Sequence, residues 1–439
     1  MMKAPIKWAG GKSRLINKIN HYLPPNCHNY YEPFCGSGSV FLNVNLKTSS
    51  IVADINIQII NLFEQIKTHP KSLIKRLKRL QKRNNSKSYA KYREKFNKVK
   101  NRKGLLPASL FVYLNKAGYA GIYRENLSGN FNVPFGKYPK INCVSNIREI
   151  SKFLKENDIK FSCCDWKETL KNTQKGDFVY LDPPYHKETK TSFTKYSSSD
   201  FGEKEQKELA KTLKKLDKDG VMWMMSNSNT TFINSLYRKF HIIKLYIGKH
   251  INNYVPSRQT TKKDNEVLIM NYNPILCDCK DWIMGTHIEK DERKWGIEIC
   301  EKYGIKYTPK MWSGKLGEYL FQELWLFNHK KKIWKPSSKY GLRPDFETKK
   351  KIYEIKTRTW QTSGTAGELG VPFKYAEIPE IFAKPLVIVL VGGYQEKEAV
   401  EKFGLFNTKI KNKNKQLKLW KKQKISFVLC SDYYTKLNT

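Results

Sequence analysis

Short apolar runs alternate with longer helix-like stretches from residue 1 to about 274, and this alternation constrains the fold more than any other feature. Three of the runs have the composition of buried strands: 50–53, 177–181 and 221–225. Strands that alternate with helices pair in parallel and need helices on both faces of their sheet. The sequence therefore predicts an α/β fold with a doubly wound, mostly parallel sheet.

The charge points to a polyanionic partner. The 439 residues include 81 Lys and Arg against 40 Asp and Glu, a formal net charge of +41. Such a chain repels itself unless a polyanion is near, and nucleic acid is the commonest one, although a genome rich in Lys and Asn codons gives the same excess. Segment 71–103 holds 15 basic residues and one acid, Glu94, which predicts a solvated helical insertion able to face DNA.

Several protein classes are excluded by composition. No stretch approaches the roughly 18 uncharged apolar residues of a membrane span, and the N-terminus lacks the apolar run of a signal peptide. Nine dispersed cysteines do not form a secreted disulfide framework. We therefore expect a cytoplasmic protein with no membrane partner.

Two glycine-containing segments near the N-terminus indicate a nucleotide-like cofactor. Segment 7–12 reads Lys-Trp-Ala-Gly-Gly-Lys, and segment 31–41 runs from a strand through a Gly-x-Gly turn into a helix. Such turns bind nucleotides at the carboxyl ends of strands, and the missing third glycine disfavours a dinucleotide. Asp54, which follows strand 51–53, is placed to grip ribose hydroxyls. Each feature alone could be a turn glycine or a helix-capping aspartate.

The most specific motif is Asp182-Pro183-Pro184-Tyr185, directly after the apolar strand. Two prolines hold the backbone extended and leave the preceding carbonyl without its usual partner. The Asp182 carboxylate and the Pro183 carbonyl can then both accept hydrogen bonds from one exocyclic amino group. Tyr185 offers a ring on which a base stacks, worth about 1–3 kcal/mol.

Residues 3 to 273 resemble the Dam-type DNA adenine-N6 methyltransferases, which use S-adenosylmethionine. The likeness rests on segments 7–12 and 32–41, Ala-Asp-Ile-Asn at 53–56, the Asp-Pro-Pro-Tyr motif and Ser-Asn-Ser at 226–228. By this resemblance the catalytic residues are Asp182, Pro183 and Tyr185. The implied cofactor contacts are Trp8, Lys12, Phe34, Gly36, Gly38, Asp54, Asp165 and Asp182.

The implied reaction takes an adenine out of double-stranded DNA, which costs a few kcal/mol of unstacking. The amino group is a poor nucleophile because its lone pair is delocalised into the ring. Acceptors at Asp182 and Pro183 favour an sp³-like nitrogen aimed at the sulfonium methyl.

The segment 113–136 is similar to the target-recognition hairpin of relatives that modify GATC. An arginine among small and aromatic residues can form a bidentate hydrogen bond with guanine, which is worth about 1–3 kcal/mol of discrimination between bases. The same arginine could instead be ion-paired on a surface loop. The resemblance implies that DNA is read by Lys7, Tyr119, Ile122, Arg124 and Pro134. One departure is Ala120, where many relatives carry asparagine, and relatives with longer sites beginning GAT share parts of this hairpin. We predict GATC.

We predict a methyltransferase domain at 1–275 with its recognition insertion at about 60–145. A linker at 276–292 and a second α/β domain at 293–439 with a basic tail follow. In the second domain, Ile352, Glu354 and Lys356 share one face of a predicted strand, and Asp345 lies across a hairpin from Glu354.

This pattern resembles the core of the PD-(D/E)xK nucleases, although an ordinary charged hairpin has the same appearance. Two carboxylates suit Mg²⁺, and Lys356 can orient the attacking water. The resemblance implies catalysis by Asp345, Glu354 and Lys356, with Glu318 beside a metal held by Asp345 and Glu354. The polar loop 357–367 and the lysine-rich tail 409–424 are expected to contact DNA.

Together these patterns predict a restriction–modification fusion that methylates adenine and cuts unmodified DNA. The alternatives are a methyl-dependent nuclease and an inactive DNA-binding appendage. Cutting both strands with one small centre favours a homodimer.

Overall fold

The chain forms two compact units. The structure, a computed structural model, describes residues 1–24, 26–45, 48–186, 201–245, 266–287, 290–329, 331–357, 373–392, 418 and 420–435. The first unit combines Met1–His21 with Cys27–Tyr272, and the second combines Tyr22–Asn26 with Asn273–Thr439. Among the described residues, no helix is long and apolar enough to cross a bilayer.

The first unit alternates strands and helices along the chain. Its strands are β1 (Asn29–Glu32), β2 (Ser49–Ala53), β3 (Ile159–Ser162), β4 (Phe178–Leu181), β5 (Met222–Ser228), β6 (His241–Leu245) and β7 (Glu266–Met270). Its helices are α1 (Ile16–His21), α2 (Ile57–Thr68), α3 (Pro70–Lys82), α4 (Ser86–Val99), α5 (Leu105–Ala117), α6 (Ile147–Glu156), α7 (Trp166–Lys171), α8 (Glu203–Lys218) and α9 (Thr231–Tyr237).

The seven strands form one sheet in the order β3-β2-β1-β4-β5-β7-β6. Strands β1 to β5 pair in parallel, and β7 pairs antiparallel with both β5 and β6. The predicted doubly wound, mostly parallel sheet is therefore confirmed, and its predicted strands correspond to β2, β4 and β5. The strand order reverses between β1 and β4, and the crevice outside such a reversal is where α/β sheets bind ligands.

The insertion between β2 and β3 contains helices α2 to α5 and a hairpin-like segment at 118–136. The basic segment 71–103 forms α3 and α4, which also bury apolar residues such as Leu77 and Phe96. Its lysines and arginines therefore lie on the outer faces of helices that pack inward, as an amphipathic helix requires.

The second unit has a four-stranded sheet in the order β11-β10-β9-β8. The strands are β8 (Phe346–Glu347), β9 (Ile352–Thr357), β10 (Leu386–Val391) and β11 (Ile425–Leu429). The helices are α10 (Ile275–Asp278), α11 (Lys280–Ile283), α12 (Glu292–Lys302), α13 (Trp312–His329), α14 (Phe373–Ile381) and α15 (Cys430–Thr435). Separate apolar clusters cover the two faces of the sheet, one with Tyr353 and Ile355 and the other with Ile352.

The prediction of a linker at 276–292 is wrong. Helices α10 and α11 lie in this segment, and Leu276, Cys279, Trp282 and Ile283 are buried in the core of the second unit. Their spacing places these side chains on one helical stripe despite the polar residues between them. The predicted DNA-contacting loop at 357–367, apart from Thr357, and most of the basic tail lie outside the described residues.

Candidate active site

The predicted cofactor residues gather where parallel strands end. Phe34 follows β1, Asp54 follows β2, Asp165 follows β3 and Asp182 follows β4, and these four strands are neighbours in the sheet. Because the carboxyl ends of parallel strands meet at one edge, residues far apart in sequence share one crevice. Asp165 caps α7, accepting a hydrogen bond from the backbone N–H of Lys167 at 2.9 Å.

Asp54 holds the glycine loop after β1. Its two carboxylate oxygens accept backbone N–H groups from Gly36 at 2.9 Å and from Asn56 at 2.8 Å. Burial raises the pKa of Asp54 to about 6. Gly36 has φ +47°, and a Cβ there would lie 3.0 Å from the Trp8 ring. The turn therefore requires glycine, because the positive φ and the neighbouring Trp8 ring leave no room for a side chain.

A buried ion pair joins the N-terminal loop to the Asp-Pro-Pro-Tyr motif. Lys12 Nζ lies 2.8 Å from Asp182 Oδ1, with side chains 5% and 20% exposed. The same Nζ donates to the Gly10 carbonyl at 2.5 Å and lies 4.7 Å from the centre of the Tyr185 ring. Burial raises the pKa of Asp182 to about 6, although Lys12 opposes the shift. A charged carboxylate is thus held at the crevice by a fixed cation.

The remainder of the motif is fixed by residues that the sequence did not indicate. Tyr185 donates its hydroxyl proton to Glu266 at 2.8 Å, and the Gln206 side chain donates to the Pro184 carbonyl at 2.8 Å. No described residue donates a hydrogen bond to the Pro183 carbonyl. Within the described part of the chain, that oxygen is therefore an acceptor without a donor beside Asp182. Glu266 and Gln206 carry no local motif, and only the folded chain brings them to this loop.

The predicted DNA-reading residues lie together around the hairpin-like segment. Tyr119 is 61% exposed, and Lys7, Arg124 and Pro134 are also exposed, whereas Ile122 is half-buried. Backbone bridges join Gly118 to Phe135 and Glu125 to Phe131. The side chain of Asn115 bonds the Lys7 backbone and the Gly121 carbonyl at 2.8–2.9 Å, so Lys7 stays beside the hairpin.

Ala120 has a left-handed backbone, with φ 53° and ψ 2°. Asparagine occupies this region more readily than alanine, which gives a physical reason for the asparagine expected at this position. The Ala120 N–H donates to the Tyr138 hydroxyl at 3.0 Å.

Helix α4 supports the hairpin through one face. The Asn97 side chain accepts from Phe131 N–H at 2.8 Å and donates to Phe131 C=O at 3.1 Å, like a strand partner. One and two turns earlier, Arg93 and Tyr89 both donate to the Val133 carbonyl.

We predict that Asn97→Ala weakens DNA recognition without touching the methyl-transfer crevice. Loss of both hydrogen bonds frees the Phe131 backbone, at a cost of about 1–3 kcal/mol. KM for duplex DNA should rise about fivefold or more while kcat stays near the parental value. Steady-state kinetics measures the split, with Asn157→Ala on the exposed end of α6 as the matched control. An unchanged KM would contradict this role for α4.

The fold and crevice define a class: a methyltransferase of the α/β type with a rigid amino-group acceptor at the end of β4. Residues 8–246 match the D12 class N6 adenine-specific DNA methyltransferases, and the chain belongs to that family. It therefore transfers a methyl group to adenine N6 in DNA and uses S-adenosylmethionine.

Three curated relatives illustrate the similarity. Type II methyltransferase M1.LlaDCHI of Lactococcus lactis subsp. cremoris is 33% identical, covering 61% of this chain and 94% of the relative. Type II methyltransferase M.MjaIII of Methanocaldococcus jannaschii is 37% identical over 62% and 99% respectively. The DNA adenine methylase of Escherichia coli K12 is 33% identical over 62% and 96%. The matched parts leave most of the second unit without a counterpart.

The crevice residues fit this cofactor and base. S-adenosylmethionine supplies an activated sulfonium methyl. The glycine loop packs against Trp8 and is held by Asp54. Asp182 and the Pro183 carbonyl, to which no described residue donates, offer two acceptors for one amino group. Lys12 orients Asp182, and the Tyr185 ring is fixed through Glu266. These contacts preorganise the acceptors, which is the main source of catalytic power available to such a site.

The second unit brings Asp345, Glu354 and Lys356 together. Because Phe346 pairs with Tyr353 and Glu347 with Ile352, the next register position sets Asp345 opposite Glu354, as predicted. Lys356 Nζ lies 2.8 Å from Glu354 Oε1. Tyr375, which the sequence did not indicate, contacts both Lys356 and Glu354.

The carboxylates of Asp345 and Glu354 repel each other in a partly buried environment. Asp345 Oδ2 accepts the backbone N–H of Ile355 at 2.7 Å, yet burial, and then the Glu354 carboxylate, raise the pKa of Asp345 to about 7. A dication beside the pair would relieve both effects, and Mg²⁺ commonly binds through one or two carboxylates and waters. This donor set fits the metal.

Glu318, expected beside the metal, is held by two lysines in this structure, and its charge also contributes to the raised pKa of Asp345. Its oxygens bind Lys315 at 2.8 Å and Lys335 at 3.0 Å. Among the described residues, no group of three or more His, Cys, Asp or Glu side chains could hold a metal. Lys315 and Lys335 thus compete for Glu318, and its place beside the metal stays a prediction.

Proposed function

We propose that this chain methylates adenine within GATC and that its second unit cuts DNA carrying the unmodified site with Mg²⁺. The observation that carries the second activity is Asp345 facing Glu354 across a short hairpin, with Lys356 two residues along the same strand face. A metal on the two carboxylates would polarise the phosphate, and the ammonium would steady the developing charge.

The proposed recognition sequence, GATC, is argued from the hairpin-like segment at 118–136. Lys7 and Arg124 are exposed cations held beside Tyr119 and Pro134. The Arg124 Nε donates to Asn132 Oδ1 at 2.9 Å, which fixes the direction of the guanidinium. A fixed arginine and a nearby lysine suit the two guanines of GATC, one on each strand. The resemblance of segment 113–136 to the recognition hairpin of GATC-modifying relatives supports the same assignment.

Coupling of the two activities follows from their opposite effects on one substrate. A nuclease without protection would destroy the DNA of its own cell, so cutting is expected only where methylation is absent. If one small centre cuts both strands, two copies of the chain would be needed.

The direct test uses full-length protein, Mg²⁺ and no methyl donor. Plasmids that bear or lack N6-methyladenine at GATC are incubated separately and resolved by electrophoresis. We expect cutting of the unmodified plasmid alone. Cutting of the modified plasmid alone would identify a methyl-dependent nuclease, and no cutting of either would identify an appendage without nuclease activity.

The recognition sequence for methylation is tested separately. Duplexes carrying GATC or each single-base change are incubated with radiolabelled S-adenosylmethionine. Label should enter the GATC duplex at a rate at least about tenfold above any variant. Equal labelling of a duplex that keeps only GAT would exclude GATC.

A further inference from the structure

The second unit contains a cavity of about 710 Å³ beside the β8–β9 hairpin. Tyr353 lines this cavity, whereas its neighbour Glu354 lies on the other face of β9, because successive side chains of a strand alternate. The cavity is therefore separate from the carboxylate pair. Its size lies within the range of ligand-binding pockets.

The walls of the cavity are aromatic. Trp325, Trp334, Tyr353 and Tyr433 line it. Trp325 is held in place by His329, stacked at 3.9 Å, and by the edge of Tyr353 at 5.3 Å. Trp334 differs from these packed rings because it is 47% exposed. A large aromatic ring held open to solvent at a pocket mouth suits stacking with a flat ligand.

The rim of the cavity is cationic. Five lysines line it, Lys331, Lys332 and the consecutive Lys349, Lys350 and Lys351 of the hairpin turn, and all five are exposed. Within the described parts of the chain none of them forms a salt bridge with a carboxylate. The cavity also includes one carboxylate, Asp432. The charge around the opening is thus strongly positive.

We propose that this pocket binds an unstacked DNA nucleotide, with its base against Trp334 and its flanking phosphates on the hairpin lysines. Aromatic rings combined with cations are the usual platform for bases outside a duplex. Paired bases expose no ring face to the pocket. An acidic peptide would use the lysines, but it has no flat ring to occupy the aromatic walls. The base would come from a single strand or from an extrahelical position in a duplex.

The test measures binding of full-length protein by fluorescence anisotropy. Three labelled probes lack adenine, so they do not occupy the adenine pocket of the first unit: a thymine dodecamer, a G·C duplex with one unpaired thymine, and the same duplex fully paired. Trp334→Ala should weaken binding of the first two probes about fivefold or more and leave the paired duplex unchanged. Trp334→Phe should retain most of the affinity.

The contribution of the hairpin lysines to DNA binding is measured separately, through the salt dependence of the affinity. The double variant Lys349→Ala/Lys350→Ala should lower the salt slope for the thymine dodecamer by about 1.4. The charge-matched control, Lys306→Ala/Lys310→Ala, should leave it unchanged. Methyl transfer by every variant should remain at the parental rate, because its crevice lies in the first unit. Thermal unfolding of the full-length variants, expected to be unchanged, verifies folding of the second unit without using the cutting assay.

Three results would overturn the proposal. The first is equal binding of the dodecamer by Trp334→Ala and the parent, and the second is an equal loss for all three probes. The third is binding of a polyglutamate peptide that depends on Trp334 and is tighter than binding of the dodecamer. That result would assign the pocket to an acidic protein segment. Preference for the dodecamer or for the bulged duplex identifies the source of the base.

Discussion

Replacing Asp182 with Ala should abolish methyl transfer while leaving DNA binding in place. The change removes the carboxylate acceptor at the end of β4 and leaves only the Pro183 carbonyl for the adenine amino group. Loss of one preorganised hydrogen-bonding group costs about 10²–10³-fold in kcat. Single-turnover transfer of labelled methyl groups to a GATC duplex measures the loss.

The control for Asp182→Ala must separate lost catalysis from lost stability, because Asp182 is the ion-pair partner of Lys12, whose side chain is only 5% exposed. Asp182→Ala leaves this cation buried without its partner, which can destabilise the fold by several kcal/mol. The double variant Lys12→Met/Asp182→Ala removes both charges, so it should unfold at a higher temperature than the single variant. Both should remain inactive and bind DNA. Recovery of transfer in the double variant would attribute the loss to unfolding.

A single Asp182→Ala variant that transfers methyl within about tenfold of the parental rate would contradict the assigned role. Glu266→Gln provides a graded comparison, because it keeps the size of the side chain that accepts from Tyr185 at 2.8 Å. It should reduce transfer far less than Asp182→Ala, since it disturbs the orientation of Tyr185 and removes no acceptor from the amino group.

The first unit could be predicted from sequence because its signals are local. Apolar runs identify β2, β4 and β5, and a motif directly after a strand must lie at the edge where ligands bind. Asp54 and Asp182 are placed correctly on this basis alone. Glu266 could not be found, since it lies 81 residues from Tyr185 along the chain and occupies an ordinary strand position.

The second unit shows the same division between local and distant information. The register of Asp345 and Glu354 follows from period-two alternation and a short turn, so it was predictable. The pairing of Glu318 with Lys335 joins a helix to a separate loop residue, and no sequence spacing specifies it. The prediction of a linker fails because charged residues obscure the helical spacing of Leu276, Cys279 and Ile283.

Replacing Glu354 with Gln should eliminate Mg²⁺-dependent cutting and leave methylation at its parental rate. The amide keeps the shape of the side chain but removes one of two charges needed to hold the metal. It also removes the ion-pair partner of Lys356, 2.8 Å away, so the ammonium loses its orientation. Plasmid cutting with and without EDTA, alongside methyl transfer by the same preparation, measures both activities.

The matched control is Glu347→Gln on the same hairpin. Glu347 pairs with Ile352 across the hairpin and forms its ion pair with Lys384, so its carboxylate belongs to the neighbouring register position rather than to the proposed metal site. This variant should cut at the parental rate. Equal loss in both variants would mean that hairpin stability decides cutting, and unimpaired cutting by Glu354→Gln would exclude the carboxylate pair as the metal site. Only a selective loss at Glu354 agrees with hydrolysis at the point where Asp345 and Glu354 face each other.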